Sequence, residues 1–242
     1  WVINAAAYTN VDKAEDQKDI AYSINALAPK YFSKAIKDHG GDLLHISTDY
    51  VFDGNKGSPY HTTDRKSPLS IYGYTKAKGE DFIIDHLADL NKGNIIRTSW
   101  LMSKYGNNFA KKILNKFNDN LLLSVIADQI GCPTTASTLA EACWKTIELK
   151  SKGIKMPNIM HYCNAGVASW YDIAIALEEI GRELNLINHS VKVLPISSKS
   201  YPSKAKRPPY SVLDTFETLD KLSLHPINWR KAIYFLLETI KK

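Results

Sequence analysis

Short apolar runs alternate with amphipathic helical patterns through the first two-thirds of the chain. The apolar runs predict strands at residues 1–5, 42–47, 94–99 and 122–127. They are continuous, so we expect these strands to be buried on both faces of a sheet. Apolar positions at helical spacing predict helices near residues 19–38, 74–87, 107–118 and 137–150. This alternation is typical of a parallel sheet with helices on its faces, and it predicts an α/β fold.

The pattern changes after residue 150, where the elements become shorter. In chain order the sequence predicts a strand at 159–163, a helix at 170–182, a strand at 191–196, a loop rich in proline and lysine at 200–209, and a closing helix from about residue 228. We therefore predict a smaller second lobe and place the boundary between residues 128 and 129.

Composition narrows the class of protein. Hydrophobic residues make up 44% of the chain and charged residues 23%, which is enough to bury a core and does not favour disorder. The net charge of +6 comes from dispersed lysines, so a cleft for anionic phosphates accounts for it better than a nucleic-acid surface. The three cysteines form no paired framework, and no apolar run approaches the roughly 18 residues of a membrane span. We expect a cytoplasmic protein with no membrane or nucleic-acid partner.

Two tyrosines have a lysine four residues later, in the pairs Tyr72/Lys76 and Tyr74/Lys78. Such pairs arise by chance in a chain with 13 tyrosines. Helix geometry separates them, because residues two apart point to nearly opposite faces. The second pair continues into two aspartates and should meet solvent. The first continues into a glycine and an isoleucine, so we predict that only Tyr72 and Lys76 face a cleft.

This pair can carry acid–base chemistry. A phenol with an unperturbed pKa near 10 exchanges protons poorly at neutral pH, and a nearby ammonium favours its ionised form. We therefore expect Lys76 to lower the pKa of Tyr72. Hydroxyl groups at 47–54 follow a predicted strand, where open α/β sheets bind ligands, and a hydroxyl there can hold a substrate carbonyl oxygen. From spacing alone, a tyrosine at a helix end with its lysine in water is the simpler alternative.

Seven segments together resemble the dTDP-4-dehydrorhamnose reductases, a family of extended short-chain dehydrogenase/reductases that completes dTDP-L-rhamnose synthesis. They lie at residues 4–15, 47–54, 67–76, 97–100, 106–109, 127–134 and 207–208. The most specific feature is the combination of Ser-Thr-Asp-Tyr-Val-Phe with Arg-Thr-Ser-Trp. The resemblance implies a Rossmann-like doubly wound parallel sheet with its first strands missing, and a smaller C-terminal α/β substrate lobe.

The resemblance also implies an activity, the reduction of the C4 keto group of dTDP-4-dehydro-L-rhamnose by NADPH or NADH. Tyr72 would protonate the developing alkoxide, and Thr48 would hydrogen-bond the same oxygen. Lys76 would lower the pKa of the tyrosine and bond the nicotinamide ribose. Residues 1–128 would form a partial dinucleotide-binding domain that carries these groups. Residues 129–242 would bind mainly substrate, and parts of 133–165 are candidates to rejoin the first domain.

Further contacts follow from the resemblance. The residues that match cofactor-binding positions are Ala5, Ala6, Ala7, Tyr8, Thr9, Asn25, Tyr72 and Lys76. Those that match substrate-binding positions are Thr48, Asp49, Trp100, Val11, Gln129 and Arg207. Arg207 suits the diphosphate because its guanidinium fork matches phosphate oxygens. A core aromatic is the alternative role for Trp100, and a solvated charge is the alternative for Arg207.

The chain departs from the family pattern in two places. The glycine-rich turn that cradles a cofactor pyrophosphate is missing, and residues 1–5 look like the family's fourth strand. We therefore expect an N-terminally truncated chain that binds the dinucleotide poorly and folds poorly alone. Ser137 stands where some members carry a glutamate that bridges a dimer through magnesium, so we expect no metal, and either a monomer or a homodimer.

Two other functions stay open. One is a non-catalytic regulatory subunit on the same fold, similar to the methionine adenosyltransferase beta subunit. The other is a reductase of a different nucleotide-linked 4-keto sugar. The set of Thr48, Tyr72 and Lys76 favours catalysis over regulation, but pocket residues in one sequence do not separate the sugars.

Overall fold

The computed structural model describes residues 1–241, and the chain forms two compact units. The first unit consists of Trp1–Thr98, Ala142–Tyr162 and Ser203–Leu224, and the second of Ser99–Glu141, Cys163–Pro202 and His225–Lys242. The sequence analysis placed the main boundary after residue 128 and named parts of 133–165 as candidates to rejoin the first domain; in this division the second unit begins at Ser99. Residues 142–162 rejoin the first unit because they include a strand of its sheet. Lys242, at the end of the predicted second lobe, lies outside the described residues.

A four-stranded parallel sheet forms the centre of the first unit. Its strands are, in order across the sheet, Val2–Asn4, Leu43–Thr48, Gly93–Thr98 and Ile159–His161. The two middle strands are buried along almost their whole length, as their continuous apolar runs predict. Thr48 pairs with Thr98 in the register, so the carboxyl ends of the middle strands meet at one edge. Open α/β sheets bind ligands at this edge.

Helices alternate with the strands of this sheet along the chain. Those of the first unit are Val11–Ala14, Lys18–Tyr22, Ala28–His39, Ile71–Leu87 and Phe216–Leu222, and a further helix, Ala136–Ser151, continues into it from the second unit. A short 3₁₀ turn, Asp49–Val51, follows the second strand. Ile36, Ile83 and Leu87 pack with the strand residues Leu43 and Ile95 in a buried cluster. The periodic apolar positions of the helices thus cover the sheet.

The helix predicted at residues 19–38 is interrupted by a π-helical segment, Ser23–Leu27. The apolar pattern did not predict this segment, because an inserted wide turn leaves the periodicity on either side nearly intact. Single π turns inside helices are frequently found at functional sites. This one buries Asn25.

The second unit combines helices with three two-stranded sheets. Its strand pairs are Leu101–Met102 with Thr134–Thr135, Leu122–Ile126 with Lys192–Ile196, and Ile130–Gly131 with Ala168–Ser169. Its helices are Phe109–Asp119, Trp170–Glu183, Trp229–Lys241 and the start of Ala136–Ser151, with a 3₁₀ turn at Ser198–Ser200. Apolar residues of the first three helices share one buried core that includes Phe117, Leu177 and Leu237.

One strand prediction is wrong in its placement. Leu122–Ile126 is a strand, but it lies outside the main sheet and most of its side chains are not buried. A continuous apolar run predicts burial on both faces only where other elements cover both faces. Leu122 itself is 53% exposed. Within residues 1–241, no helix combines the length and the apolar character needed to cross a bilayer.

Candidate active site

Tyr72 and Lys76 lie on the inward face of the helix Ile71–Leu87. Lys76 is 2% exposed and Tyr72 is half-buried, whereas Tyr74 on the opposite face is 45% exposed. The pair Tyr72/Lys76 therefore points inward, as the sequence indicates, and that it faces a cleft stays a prediction. The helix begins after Ser70, whose hydroxyl accepts a hydrogen bond from the backbone N–H of Gly73. A Cβ at Gly73 would lie 2.2 Å from the Tyr50 carbonyl oxygen. Glycine therefore allows the start of the helix to approach the turn after the second strand.

The ammonium group of Lys76 is turned toward the second strand. Its Nζ donates to the Ile46 carbonyl oxygen at 2.6 Å and lies 3.3 Å from Nε2 of His45. Burial lowers the pKa of Lys76 to about 8, against the opposing effect of the Glu80 carboxylate. The side chain therefore remains mainly charged at neutral pH, close to its titration range.

The acidity of Tyr72 differs from the expectation. Burial raises the pKa of Tyr72 to about 12, its hydrogen bond with Thr48 opposes this rise, and the Asp49 charge adds to it. The expectation that Lys76 lowers this pKa is therefore wrong. The lysine gives hydrogen bonds to the second strand, and burial of the phenol dominates. Tyr72 is held fully protonated at neutral pH, as a proton donor requires.

Thr48 and Asp49 form the polar centre of the site. Thr48 ends the second strand, and its hydroxyl donates to Oδ1 of Asp49 at 3.0 Å while accepting from the backbone N–H of Tyr50 at 3.2 Å. Oδ2 of Asp49 accepts from the Ser211 hydroxyl at 2.5 Å. The structure thus brings Thr48, Asp49 and Tyr72 together. Ser211 was not predicted, because a single serine in a loop carries no sequence signal beyond its position shortly after Arg207.

Arg207 is engaged with a carboxylate of the same unit. Its Nη2 lies 2.7 Å from Oδ2 of Asp12, and it also hydrogen-bonds the side chains of Ser203 and Tyr50. Burial would raise the pKa of Asp12, but hydrogen bonds from Arg207, Ala205 and Ser203 together with the Arg207 charge lower it to about 2. Arg207 is therefore a partly buried, oriented guanidinium and not a solvated charge. Asp12, next to the predicted substrate contact Val11, was missed.

Asn25 clamps the segment that was predicted to line the cofactor. Its Oδ1 accepts from the backbone N–H of Tyr8 at 2.8 Å, and its Nδ2 donates to the Tyr8 carbonyl and to the Thr75 hydroxyl, both at 3.1 Å. The carbonyl of Asn25 is approached closely by Gly79, where a Cβ would lie 2.2 Å away. Asn25 therefore joins the residues after the first strand to the neighbour of Lys76, and does not itself bond the lysine among its described contacts.

The segment after the first strand fits a dinucleotide in its chemistry. Ala5, Ala6 and Ala7 have small side chains that are exposed or half-buried, as a closely approaching ligand requires. Oδ1 of Asn4 accepts from the Ala6 N–H, while its buried Nδ2 has no hydrogen-bond partner within residues 1–241. An unpaired buried donor beside open small residues suits a polar group of a nicotinamide cofactor. The same described residues contain no cluster of three or more His, Cys, Asp or Glu side chains that could hold a metal.

A buried ion pair lies beside Lys76. Arg97 donates from Nε and Nη2 to the two carboxylate oxygens of Glu80 at 2.9 and 2.8 Å, and Ser47 donates to Oε1 of Glu80 at 2.5 Å. Burial would raise the pKa of Glu80, but the Arg97 charge and hydrogen bonds lower it. A charged residue inside a continuous strand run was the available signal for this pair, since a buried arginine needs a partner.

Trp100 and Gln129 belong to the second unit. Trp100 has a left-handed backbone with φ of 49°, and its ring stacks on Trp170 with centroids 3.7 Å apart. A Cβ at Gly131 would lie 2.6 Å from the Trp100 ring, so glycine is needed on that side. Gln129 is buried and directly precedes the strand that carries Gly131. The indole of Trp100 is thus fixed on two sides and half-buried, and it packs against the hydrophobic core of the second unit, which fits the core aromatic role as well as a substrate contact.

Known proteins with related sequences share a reductase activity. The family model described as the RmlD substrate binding domain matches residues 1–242. The dTDP-4-dehydrorhamnose reductase of Aggregatibacter actinomycetemcomitans is 38% identical over 234 residues, which are 96% of this chain and 78% of that protein. The enzyme of the same name from Escherichia coli K12 is 35% identical, over 99% of this chain and 79% of that protein.

Solved structures give the same result. A dTDP-4-dehydrorhamnose reductase from Clostridium acetobutylicum aligns with a TM-score of 0.88 at 37% identity, covering 100% of this chain and 81% of that one. The enzyme from Bacillus anthracis, in complex with NADP, aligns with a TM-score of 0.86 at 34% identity, covering 98% and 79%. A UDP-glucuronic acid 4-epimerase from Bacillus cereus, at 19% identity and a TM-score of 0.77 over 98% of this chain and 73% of that one, shares the fold.

Proposed function

The chain belongs to the dTDP-4-dehydrorhamnose reductase family, and we propose that it reduces the C4 keto group of dTDP-4-dehydro-L-rhamnose to give dTDP-L-rhamnose, with NADPH as the reductant. One observation carries the proposal. Tyr72 lies on the same helix face as the buried Lys76, and the hydroxyl of Thr48, at the carboxyl end of the second strand, is close enough to oppose the rise of the Tyr72 pKa. This arrangement suits the protonation of an oxygen, and it favours catalysis over a regulatory role.

When bound along the segment after the first strand, a nicotinamide cofactor would supply the hydride for the keto carbon. Tyr72 donates its proton to the oxygen that becomes negatively charged, because the phenol is protonated at neutral pH. As Tyr72 loses its proton, the hydroxyl of Thr48 turns from Asp49 toward the phenolate, in keeping with the effect of the Thr48 hydrogen bond in lowering the pKa of Tyr72. The Thr48 hydroxyl thus stabilises the negative charge that remains on the Tyr72 oxygen after the proton has left.

Lys76 has the chemistry to hold the cofactor sugar. An ammonium has three N–H donors, and the Ile46 carbonyl and His45 Nε2 accept two of them. The third donor remains for a ribose hydroxyl. Cofactor contacts are proposed for Ala5, Ala6, Ala7, Tyr8, Thr9, Tyr72 and Lys76, with Asn25 acting through the backbone of Tyr8.

The substrate contacts are proposals as well. They comprise Thr48, Asp49, Val11, Trp100, Gln129 and Arg207. The guanidinium of Arg207 suits the diphosphate because it is planar and already oriented by Asp12. Trp100 offers a fixed aromatic face to a sugar. On this assignment the first unit binds the cofactor and carries the catalytic groups. The proposed compartment is the cytoplasm, and the proposed assembly is a monomer or a homodimer.

The test is a coupled assay. The protein is given NADPH and dTDP-4-dehydro-6-deoxy-glucose together with the epimerase that precedes this step, and both NADPH oxidation and the sugar product are measured. We expect dTDP-L-rhamnose in equal amount to the NADPH consumed. If the protein reduced a different nucleotide-linked 4-keto sugar and not dTDP-4-dehydro-L-rhamnose, the proposed substrate would be wrong and the proposed keto reduction would stand. Binding of NADPH without turnover of any keto sugar would favour the regulatory function.

A further inference from the structure

A histidine lies behind the catalytic pair and has no part in the mechanism above. His45, in the middle of the second strand, is 0% exposed, and its Nε2 is 3.3 Å from Nζ of Lys76. Its other ring nitrogen, Nδ1, is buried and lacks a hydrogen-bond partner in the part of the chain that the structure describes. An unpaired buried polar atom destabilises a fold, so the orientation of this ring toward the lysine calls for an explanation.

The chemistry of the ring follows from its surroundings. Burial and the Lys76 charge hold the pKa of His45 well below its usual range, so the imidazole is neutral. A neutral imidazole has one N–H donor and one acceptor nitrogen. The ammonium of Lys76 can only donate, so Nε2 is the acceptor and the proton is on Nδ1. The tautomer in which Nε2 accepts from Lys76 therefore leaves the buried Nδ1–H without a hydrogen-bond partner among the described residues.

Few other groups stabilise the charge on Lys76. The Ile46 carbonyl accepts one hydrogen bond at 2.6 Å. Glu80, on the same helix, is the carboxylate that favours the charged lysine, but its two oxygens already accept from Arg97. Tyr72 is neutral, and Asp49 acts on Tyr72. His45 is thus the side chain that both contacts the ammonium and can accept from it.

We propose that His45 is a positioning residue that accepts from Lys76 through Nε2, keeps the lysine protonated, and directs its remaining N–H toward the ribose of the nicotinamide cofactor. The inference rests on the proposed function, because it assigns a ligand to that N–H. A positioning role for His45 has a consequence that a purely packing role of the imidazole does not have. Loss of the acceptor should lower the pH at which the lysine loses its proton, since a hydrogen bond to the charged form favours that form.

Three substitutions separate the two roles. His45→Gln places an acceptor oxygen near the position of Nε2. His45→Asn places its oxygen near the position of Nδ1, away from the lysine. His45→Leu fills a similar volume without any acceptor. Thermal unfolding of each variant measures the structural contribution separately from the electrostatic one.

The experiment measures NADP⁺ affinity of the whole protein by fluorescence titration from neutral to alkaline pH, with kcat/KM for the keto sugar over the same range. We expect wild-type affinity to weaken as Lys76 titrates, near its pKa of about 8. In His45→Leu and His45→Asn this limb should move to lower pH by about one unit, the effect of one charged hydrogen bond. His45→Gln should return it toward the wild-type position.

The outcomes are distinct. An unmoved alkaline limb in His45→Leu, with lower thermal stability alone, would overturn the inference and leave His45 as a packing residue. Imidazole ¹⁵N NMR gives a further readout, and a protonated ring or an Nε2–H tautomer at neutral pH would also overturn it. Binding of NADP⁺ with the expected shift, but without reduction of any sugar, would support the role of His45 and contradict the proposed function.

Discussion

The Thr48 hydroxyl donates a hydrogen bond to the Asp49 carboxylate across 3.0 Å, and both side chains are buried. A hydroxyl has one proton to donate and two lone pairs that accept. The Thr48 hydroxyl donates its proton to the ionised Asp49 carboxylate and accepts from the Tyr50 N–H, and its interaction with Tyr72 opposes the rise of the Tyr72 pKa. The three side chains form a chain that ends on a buried negative charge, and Thr48 and Asp49 modify a pKa of Tyr72 that burial mainly raises.

Replacement of Asp49 should therefore lower the pKa of Tyr72. In Asp49→Asn the negative charge that raises the pKa of Tyr72 is removed, so this pKa should fall below about 12. The amide also holds the Thr48 hydroxyl less firmly, and we expect kcat to fall by about tenfold to hundredfold, as for the loss of one positioned proton-transfer partner. Ultraviolet titration of tyrosinate, with the Tyr72→Phe double variant subtracted, measures the pKa.

Ser211→Ala is the matched control for that experiment. It removes the donor to Oδ2 of Asp49 but leaves the charge in place, so its effect on kcat should be smaller. Wild-type kcat together with an unchanged Tyr72 titration in Asp49→Asn would show that the carboxylate is not coupled to the tyrosine.

Arg207 should affect substrate binding more than the chemical step. Arg207→Lys keeps the charge but loses the planar fork that Asp12 orients, so KM for the sugar nucleotide should rise by about tenfold with little change in kcat. Lys206→Ala, an exposed neighbour, should leave both values unchanged. Steady-state kinetics with varied sugar nucleotide measures the two constants. If kcat of Arg207→Lys fell by a factor as large as the rise in KM, Arg207 would act at the reacting centre and not only in diphosphate binding.

The Asn25 clamp predicts a graded effect. Asn25→Ala leaves the N–H and carbonyl of Tyr8 and the hydroxyl of Thr75 without this partner, so the free energy of unfolding should fall by about 2–3 kcal/mol. KM for NADPH should rise, because the cofactor-lining segment is no longer fixed. Thr75→Val removes one of these three hydrogen bonds. Its free energy of unfolding should fall less, and its KM for NADPH should rise less, than in Asn25→Ala. Urea denaturation and NADPH saturation curves give the values, and identical losses in the two variants would argue against a clamp.

Local periodicity predicted strands at all four positions of the main sheet, but the sequence analysis assigned the fourth, Ile159–His161, to the second lobe. It also predicted the inward face of the helix Ile71–Leu87. Lys76 is buried and Tyr74 exposed, as that periodicity indicates. It did not predict the π turn around Asn25 or the partner of the strand Leu122–Ile126. Pairings between residues distant in the chain, such as Asp12 with Arg207, leave no periodic trace. The acidity of Tyr72 was mispredicted because burial, which needs a structure to be seen, outweighs the neighbouring lysine.

Acid should destabilise the protein partly through His161. Burial, with the Arg97 charge, lowers the pKa of His161 to about 3, from an ordinary value near 6.5 in the unfolded chain. Between these values the unfolded state binds more protons, so the free energy of unfolding decreases as the pH falls through that window. His161→Asn keeps a donor toward the Tyr60 carbonyl but cannot titrate, and its stability should depend less on pH there. Urea denaturation across the window measures this, and parallel curves for the two proteins would contradict it.

The central claim is that Tyr72, and not its twin Tyr74, protonates the sugar oxygen. The most direct measurement is the single-turnover rate of NADPH oxidation by Tyr72→Phe and Tyr74→Phe in the presence of the keto sugar. We predict that Tyr72→Phe loses most of its rate while still binding NADPH, and that Tyr74→Phe, at an exposed position, reacts like the wild type. Unimpaired turnover in Tyr72→Phe would contradict the account and remove the tyrosine as the proton donor.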